Sequence, residues 1–326
     1  MKFPEYKLLS LNDRSGLVEE EHFGIIIKCS ENKILKKIGE DNNYPFFMRS
    51  CMKPMQLAAI SEIFDAYDFT PEEIAVGQSS HAGEDIHVEA VQSILKKAGL
   101  SEDDLLCPPQ EPLNRDSEDF LIRHNQKPRA IHNNCSGKHA SMLAYCKLKG
   151  YDTKHYDDFE HPMQKHILNF VAKTSGIDLA SAPKTKDGCT LPVIAAPLHN
   201  LAQGYLLIFT NPEFSRIKDA VLKCPYHAGG HGRTDSEIIV AGEGKLTAKI
   251  GAGNICCVAD LEEKTCYIIK VVDPDNKARG FILTHLLNNL GKFPNFEKTY
   301  LAKMFSDDVT DEVGDVLGKV KLAFDF

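Results

Sequence analysis

Two periodicities divide this chain. Near both ends apolar residues alternate or run unbroken over five to seven positions, which predicts strands; through the middle they recur every three or four, which predicts helices. Residues 22–38 read as two strands around Ser30-Glu31-Asn32-Lys33. From Arg49 the spacing widens, and Met52, Met55, Leu57 and Ile60 follow one helix face with Pro54 in its first turn. Residues 71–99 carry two helical patterns joined at Ser79-Ser80-His81-Ala82-Gly83-Glu84, the second striped by Val88, Val91, Ile94 and Leu95. Helical signals return at 136–149, 161–175 and 193–209, then briefly at 235–241. Strands resume at 246–250, 255–259 and 266–272, followed by a helix at 278–290 that stops at Gly291 and a last strand-like run at 320–324. The polar, proline-rich residues 101–130 predict a long surface excursion, either a lid or a connection. Strands near 22–38 and 246–272 therefore share one antiparallel sheet around a helical region of about 50–240. This is an α/β (α+β) architecture in a single domain, 1–326.

Composition narrows the classes. A chain of 326 residues buries a sizeable core, and a formal net charge of −8 argues against nucleic acid or an anionic membrane as main partner. Residues 1–7 hold no apolar core of signal-peptide length, and no apolar run approaches a membrane span. Ten cysteines at irregular spacing then point to a reducing, cytoplasmic setting rather than a disulfide framework.

Reactive groups cluster in three places. Ser50-Cys51-Met52-Lys53 is an S-x-x-K element at a helix start, with hydroxyl and amine about one turn apart on one face. If burial holds Lys53 neutral, it takes the proton of Ser50 and makes that serine nucleophilic. Ser80 at the helix junction and Lys249 at the end of a strand, followed by Ile250-Gly251, give a second pair. In order, these elements match the three-element plan of active-site serine penicillin enzymes. The third group spans Asn133-Asn134-Cys135-Ser136-Gly137-Lys138-His139, with Asp187-Gly188-Cys189 beyond it. Here Cys135 is either a nucleophile with His139 as its base, or one of two thiols that hold zinc with Cys189. Asp187 is placed to orient a ligand or an ammonium group. The glycine-rich residues 225–235 lack the GK[ST] of a phosphate cradle.

Taken together these stretches resemble the L-asparaginase II family of the rhizobial type, the class 3 asparaginases. The match runs from Arg14-Ser15-Gly16-Leu17-Val18-Glu19, His22 and Gly24 through Arg49–Gln56, Ser80–Glu84 and His87. It continues through Asn134–His139, Asp187-Gly188-Cys189, Pro192, Pro197-Leu198, Gly232-Arg233-Thr234-Asp235 and Lys249-Ile250-Gly251-Ala252. The resemblance implies a serine β-lactamase/glutaminase-like fold, a homodimer, and hydrolysis of L-asparagine to aspartate and ammonia. It implies serine–lysine pairs at Ser50 with Lys53 and Ser80 with Lys249, and a Zn2+ site at Cys135, Lys138 and Cys189. Arg49, His139 and Asp187 are then expected at the substrate. The chain departs from the family after Lys249, where Gly253-Asn254 stands in place of Glu-Gly. Two other readings share these residues: a serine acylase recognising β-lactams or other amides, and an amino-acid-binding protein without turnover.

Overall fold

The computed structural model describes residues 2–326. The chain starts with the hairpin β1 (Lys7–Arg14) and β2 (Leu17–Cys29), then β3 (Ile34–Ile38) and the two-residue β4 (Phe46–Phe47). A 3-10 turn, Arg49–Met52, leads into a helical region: α1 (Lys53–Ala58), α2 (Ile63–Ala66), α3 (Pro71–Gly77), α4 (Asp85–Lys97), α5 (Arg115–Arg123), α6 (Ser136–Lys149) and α7 (Pro162–Thr174). Two short strands, β5 (Lys184–Lys186) and β6 (Pro192–Ala196), precede α8 (Leu198–Thr210), α9 (Ser215–Lys223) and α10 (Thr234–Ala241). The meander β7 (Leu246–Gly251), β8 (Ile255–Asp260), β9 (Thr265–Val271) follows. The chain ends with α11 (Asn276–Asn289), α12 (Tyr300–Met304), β10 (Asp308–Thr310) and β11 (Val316–Leu322).

One sheet runs β10-β11-β1-β2-β9-β8-β7, with β3 added on β2, and its pairings are antiparallel. β2 is its hinge. The first part of β2 pairs with β1, while its last residues pair on both sides, Ile26 opposite both Ile38 and Ile269. Ile25, Ile26 and Ile27 are all fully buried, so the strand reads as an apolar run rather than an alternation. No helix among the described residues is long and apolar enough to cross a membrane.

The expected sheet of N- and C-terminal strands around a helical middle is what the chain forms. Three details differ from the pattern. The 193–209 segment splits at Pro197 into the fully buried strand β6 and the helix α8, because a short apolar run fits either conformation. β1 and β10 lacked a sequence signal, being half-polar strands toward one end of the sheet, and β11 starts four residues before the 320–324 run that announced it. Residues 101–130 hold α5 and a 3-10 turn, and Gln110 from this excursion reaches a cleft beside Ser50.

Two glycines set close approaches that shape that region. A Cβ on Gly137 would stand 2.4 Å from the Val76 carbonyl oxygen, so the start of α6 lies directly on the end of α3. A Cβ on Gly251 would stand 3.0 Å from Cys51 Sγ, so β7 ends against the turn that carries Ser50.

Candidate active site

β4 delivers the chain to the reactive turn. Met48 N–H donates to Ile194 O at 3.0 Å, continuing the pairing with β6. The next residue, Arg49, takes φ of 48°, a left-handed conformation that costs a non-glycine residue about 1–2 kcal/mol. Asp187 holds the strained residue in place, with its Oδ1 accepting from Arg49 Nε at 2.7 Å and the second guanidinium nitrogen 2.6 Å away. Burial raises Asp187, but the Lys138 and Arg49 charges outweigh it and leave the carboxyl below its ordinary range. The turn puts half-buried Ser50 on the border of two clefts, of about 320 and about 210 Å3. Its N–H precedes the first hydrogen bond of the 3-10 turn, Cys51 N–H to Met48 O, and makes no backbone hydrogen bond of its own among the described residues.

Behind Ser50 lies a buried core of amines. Lys53 is 1 % exposed and Lys249 is fully buried, and the nitrogen of each stands 3.0 Å from Ser80 Oγ. Lys53 Nζ also donates to Ser79 O at 2.6 Å and contacts Asn134 O at 3.4 Å. Lys249 Nζ donates to Ile250 O at 2.8 Å and pairs with Asp235 Oδ2 at 3.5 Å. Burial foremost, with the charges of Lys138 and Lys249, lowers Lys53 to about 8 although the Cys135 and Cys189 sulfurs oppose the shift. A sizeable fraction of Lys53 is therefore neutral near physiological pH and able to accept a proton. Sequence spacing paired Lys53 with Ser50 and Lys249 with Ser80; in the fold both amines converge on Ser80, and no hydrogen bond joins Lys53 to Ser50.

The second cleft is lined by sulfur. Lys138 Nζ stands 3.3 Å from Cys189 Sγ, and Cys135 Sγ stands 3.0 Å from Asn134 Oδ1. A hydrogen bond from Cys135, with burial opposing and the Lys138 charge assisting, lowers Cys189 to about 5, which makes it a thiolate. The same hydrogen bond and burial push Cys135 up to about 12. Burial disfavours the Lys138 ammonium, yet the two sulfurs and Asp187 overcome it and hold Lys138 above its ordinary value. A thiolate, a thiol and an ammonium lie together here, and loss of two protons would leave two sulfurs and an amine able to donate to a divalent ion. Two sulfurs and an amine are donors of the kind zinc accepts. Among the described residues no three His, Cys, Asp or Glu gather as candidate metal ligands.

Of the other expected substrate contacts, Arg49 and Asp187 border the second cleft, but each occupies the other. His139 borders neither cleft: it is fully buried, and its Nδ1 is 2.6 Å from Tyr156 OH. Burial, with the Lys138 charge, lowers it to about 3, so it is neutral. The fold adds groups to which the spacing assigned no role. His81 Nε2 bonds Ser136 Oγ at 2.9 Å and its N–H donates to Asn134 O at 3.1 Å, tying the Ser80 loop to the start of α6. Asn254, in the departure from the family pattern, takes φ of 60° and donates to Asp273 O and Asp275 O at 2.9 and 2.8 Å. It fastens the loop that opens α11, and Arg279 of that helix lines the larger cleft. A lone arginine in the otherwise apolar stretch 278–283 was the available signal for it.

Comparison with known proteins adds three findings. No curated protein matches the chain. Among solved structures, a putative beta-lactamase from Bacteroides dorei DSM 17855 superposes with a TM-score of 0.43 at 11% sequence identity, over 81% of this chain and 93% of that one. The L-asparaginase II family profile matches residues 11–322, a span that takes in Ser50, Lys53, Ser80, Lys249 and the sulfur cluster. The chain accordingly belongs to the L-asparaginase II family and is an asparaginase-type hydrolase.

Proposed function

We propose that the protein hydrolyses the side-chain amide of free L-asparagine, with Ser50 as nucleophile and a Lys53–Ser80–Lys249 chain moving protons. The observation that carries this reading is the Ser80 hydroxyl held 3.0 Å from both amines beside the cleft that Ser50 opens into. Ser50 Oγ attacks the amide carbon and gives its proton to neutral Lys53. The Ser50 N–H supports the oxyanion. The Ser80 hydroxyl, between the two lysines, passes a proton to the departing nitrogen, and ammonia leaves. Water then attacks the resulting ester by the reverse proton path, releasing aspartate. Ser50 rather than Ser80 is the attacking group because it is half-buried at the border of both clefts, whereas Ser80 is 4 % exposed and already engaged by two amines.

Cys135, Lys138 and Cys189 would hold a zinc ion. When bound, it supplies a fixed positive Lewis-acid centre next to Ser50 that sets the shape of the pocket. His139 acts behind that loop through Tyr156, and Asp187 fixes Arg49. The reading includes a cytoplasmic homodimer; ten free, buried cysteines suit a reducing compartment.

The test is ammonia release from asparagine and glutamine by the full chain, with covalent labelling by a fluorescent penicillin alongside. Rapid asparagine turnover without labelling is the expected result. Penicillin labelling without amide turnover would replace the reading with a β-lactam acylase. Asparagine binding without turnover would make the protein an amino-acid sensor. Light scattering reads the dimer directly.

A further inference from the structure

The larger cleft carries positive charge that the proton chain does not use. Arg279 on α11 is only 4 % exposed, lines this cleft together with Ser50 and Ser80, and has a buried Nε without any hydrogen-bond partner. Arg233, preceding α10, lines the same cleft and also has a buried, unpartnered Nε. Among the described residues neither guanidinium has an ion-pair partner. Arg49, the third arginine near the serines, differs because Asp187 already engages it. A buried cation without a counter-charge is costly, and a ligand that supplies the negative charge is a physical reason to keep one.

Position supports the same ligand chemistry. Phe305 lies against Gly280, where a Cβ would fall 2.1 Å from its ring, and with Met304 it walls the cleft around Arg279. That apolar wall strengthens any ion pair formed inside. A guanidinium presents a planar fork that matches a carboxylate with two parallel hydrogen bonds. Asparagine carries such a carboxylate on the carbon next to the one that bears its amide arm, so an amide carbon at Ser50 leaves that carboxylate to be received within the same cleft.

We propose that Arg279 and Arg233 form the subsite for the substrate's α-carboxylate, so that the enzyme selects free amino acids over amides lacking this group. The inference rests on the asparagine-hydrolysis reading above. It also explains why Asn254 clamps the loop before α11: the clamp fixes the helix that presents Arg279.

The experiment compares asparagine with 3-aminopropanamide, the same amide without the carboxylate, for the wild-type full chain and for Arg279→Met, Arg279→Lys and Arg233→Met. In Arg279→Met the KM for asparagine rises about 100-fold, kcat changes much less, and the preference for asparagine over 3-aminopropanamide narrows by at least ~30-fold. Arg279→Lys restores part of that preference, and thermal melting reports that each variant is folded. Equal proportional losses on both amides, or an unchanged KM for asparagine, would overturn the subsite. Should Arg279→Met not fold, the same ratio is read in the more exposed Arg233→Met. Calorimetric titration with L-aspartate separates this claim from the activity. If wild type turns over no asparagine but binds aspartate, and both methionine variants lose that binding, the subsite stands and the hydrolysis reading falls. Aspartate bound equally by wild type and both variants, or by none of them, refutes the subsite.

Discussion

Replacing Lys249 with methionine separates what this lysine does for the fold from what it does for the reaction. Lys249 is fully buried, Asp235 is buried beside it, and their charged atoms are 3.5 Å apart. Methionine fills most of the volume but leaves the Asp235 carboxylate in a dry interior without its cation. Breaking a buried pair in this way costs about 3–5 kcal/mol, far above the cost of losing a surface pair. In a chain of this size that corresponds to a fall in Tm on the order of 10 °C. The double variant Lys249→Met with Asp235→Asn removes both charges. Its asparagine still offers an oxygen to the Ile250 N–H, which Asp235 Oδ2 accepts from at 3.3 Å. Stability therefore returns to within roughly 1 kcal/mol of wild type. Activity does not return, because Ser80 has lost one of its two amines; kcat for ammonia release stays about 10²–10⁴-fold down in both variants. Calorimetric melting and a coupled ammonia assay on the same preparations decide it. A single variant as stable as wild type would show that the pair carries no net charge interaction. A double variant with wild-type turnover would remove Lys249 from the proton path.

Other outcomes follow from the same geometry. Lys53 accepts a proton only as the neutral amine, so kcat/KM rises about tenfold per pH unit below about 8 and levels off above it. The Lys249 charge helps lower Lys53, so the residual activity of Lys249→Met has its midpoint at higher pH. Cys135→Ala or Cys189→Ala loses zinc by metal analysis of protein purified without chelator, while Ser50→Ala keeps it; full zinc in Cys135→Ala contradicts the assigned ligands. Gly137→Ala drives a methyl to 2.4 Å from Val76 O and costs about 1–3 kcal/mol in denaturant unfolding, whereas the same change at open Gly188 costs far less.

Much of this architecture was legible because local pattern and global fold agree. The β7–β9 meander and α11 announce themselves through apolar runs bounded by turns, and α4 and α6 through a helix-period stripe or composition. β6 was misread because five buried apolar residues carry no period. β1 and β10 were missed because half-polar strands lack one, and only the end of β11 showed, in the 320–324 run. The site was legible as a set of residues and, for Ser80 with Lys249, as a pair, but the partner of Lys53 was not. S-x-x-K spacing suggested that Lys53 serves Ser50, whereas its nitrogen bonds Ser80, 27 positions away. The Arg49–Asp187 pair spans 138 positions and Lys249–Ser80 spans 169, separations that no local pattern can encode. The family resemblance supplied the identities and the Ser80–Lys249 pair, and the fold supplied the Arg49–Asp187 pair and the convergence of two lysines on one hydroxyl.

The claim at the centre of this account is that Ser50 makes the bond to the substrate while Ser80 carries protons. It is tested by ammonia release from asparagine for wild type, Ser50→Ala and Ser80→Ala, together with mass spectrometry of protein quenched during turnover. The account predicts a loss of at least about 10³-fold in Ser50→Ala, a smaller loss in Ser80→Ala, and an aspartyl ester found on Ser50. Undiminished turnover in Ser50→Ala, or an ester on Ser80, would contradict it.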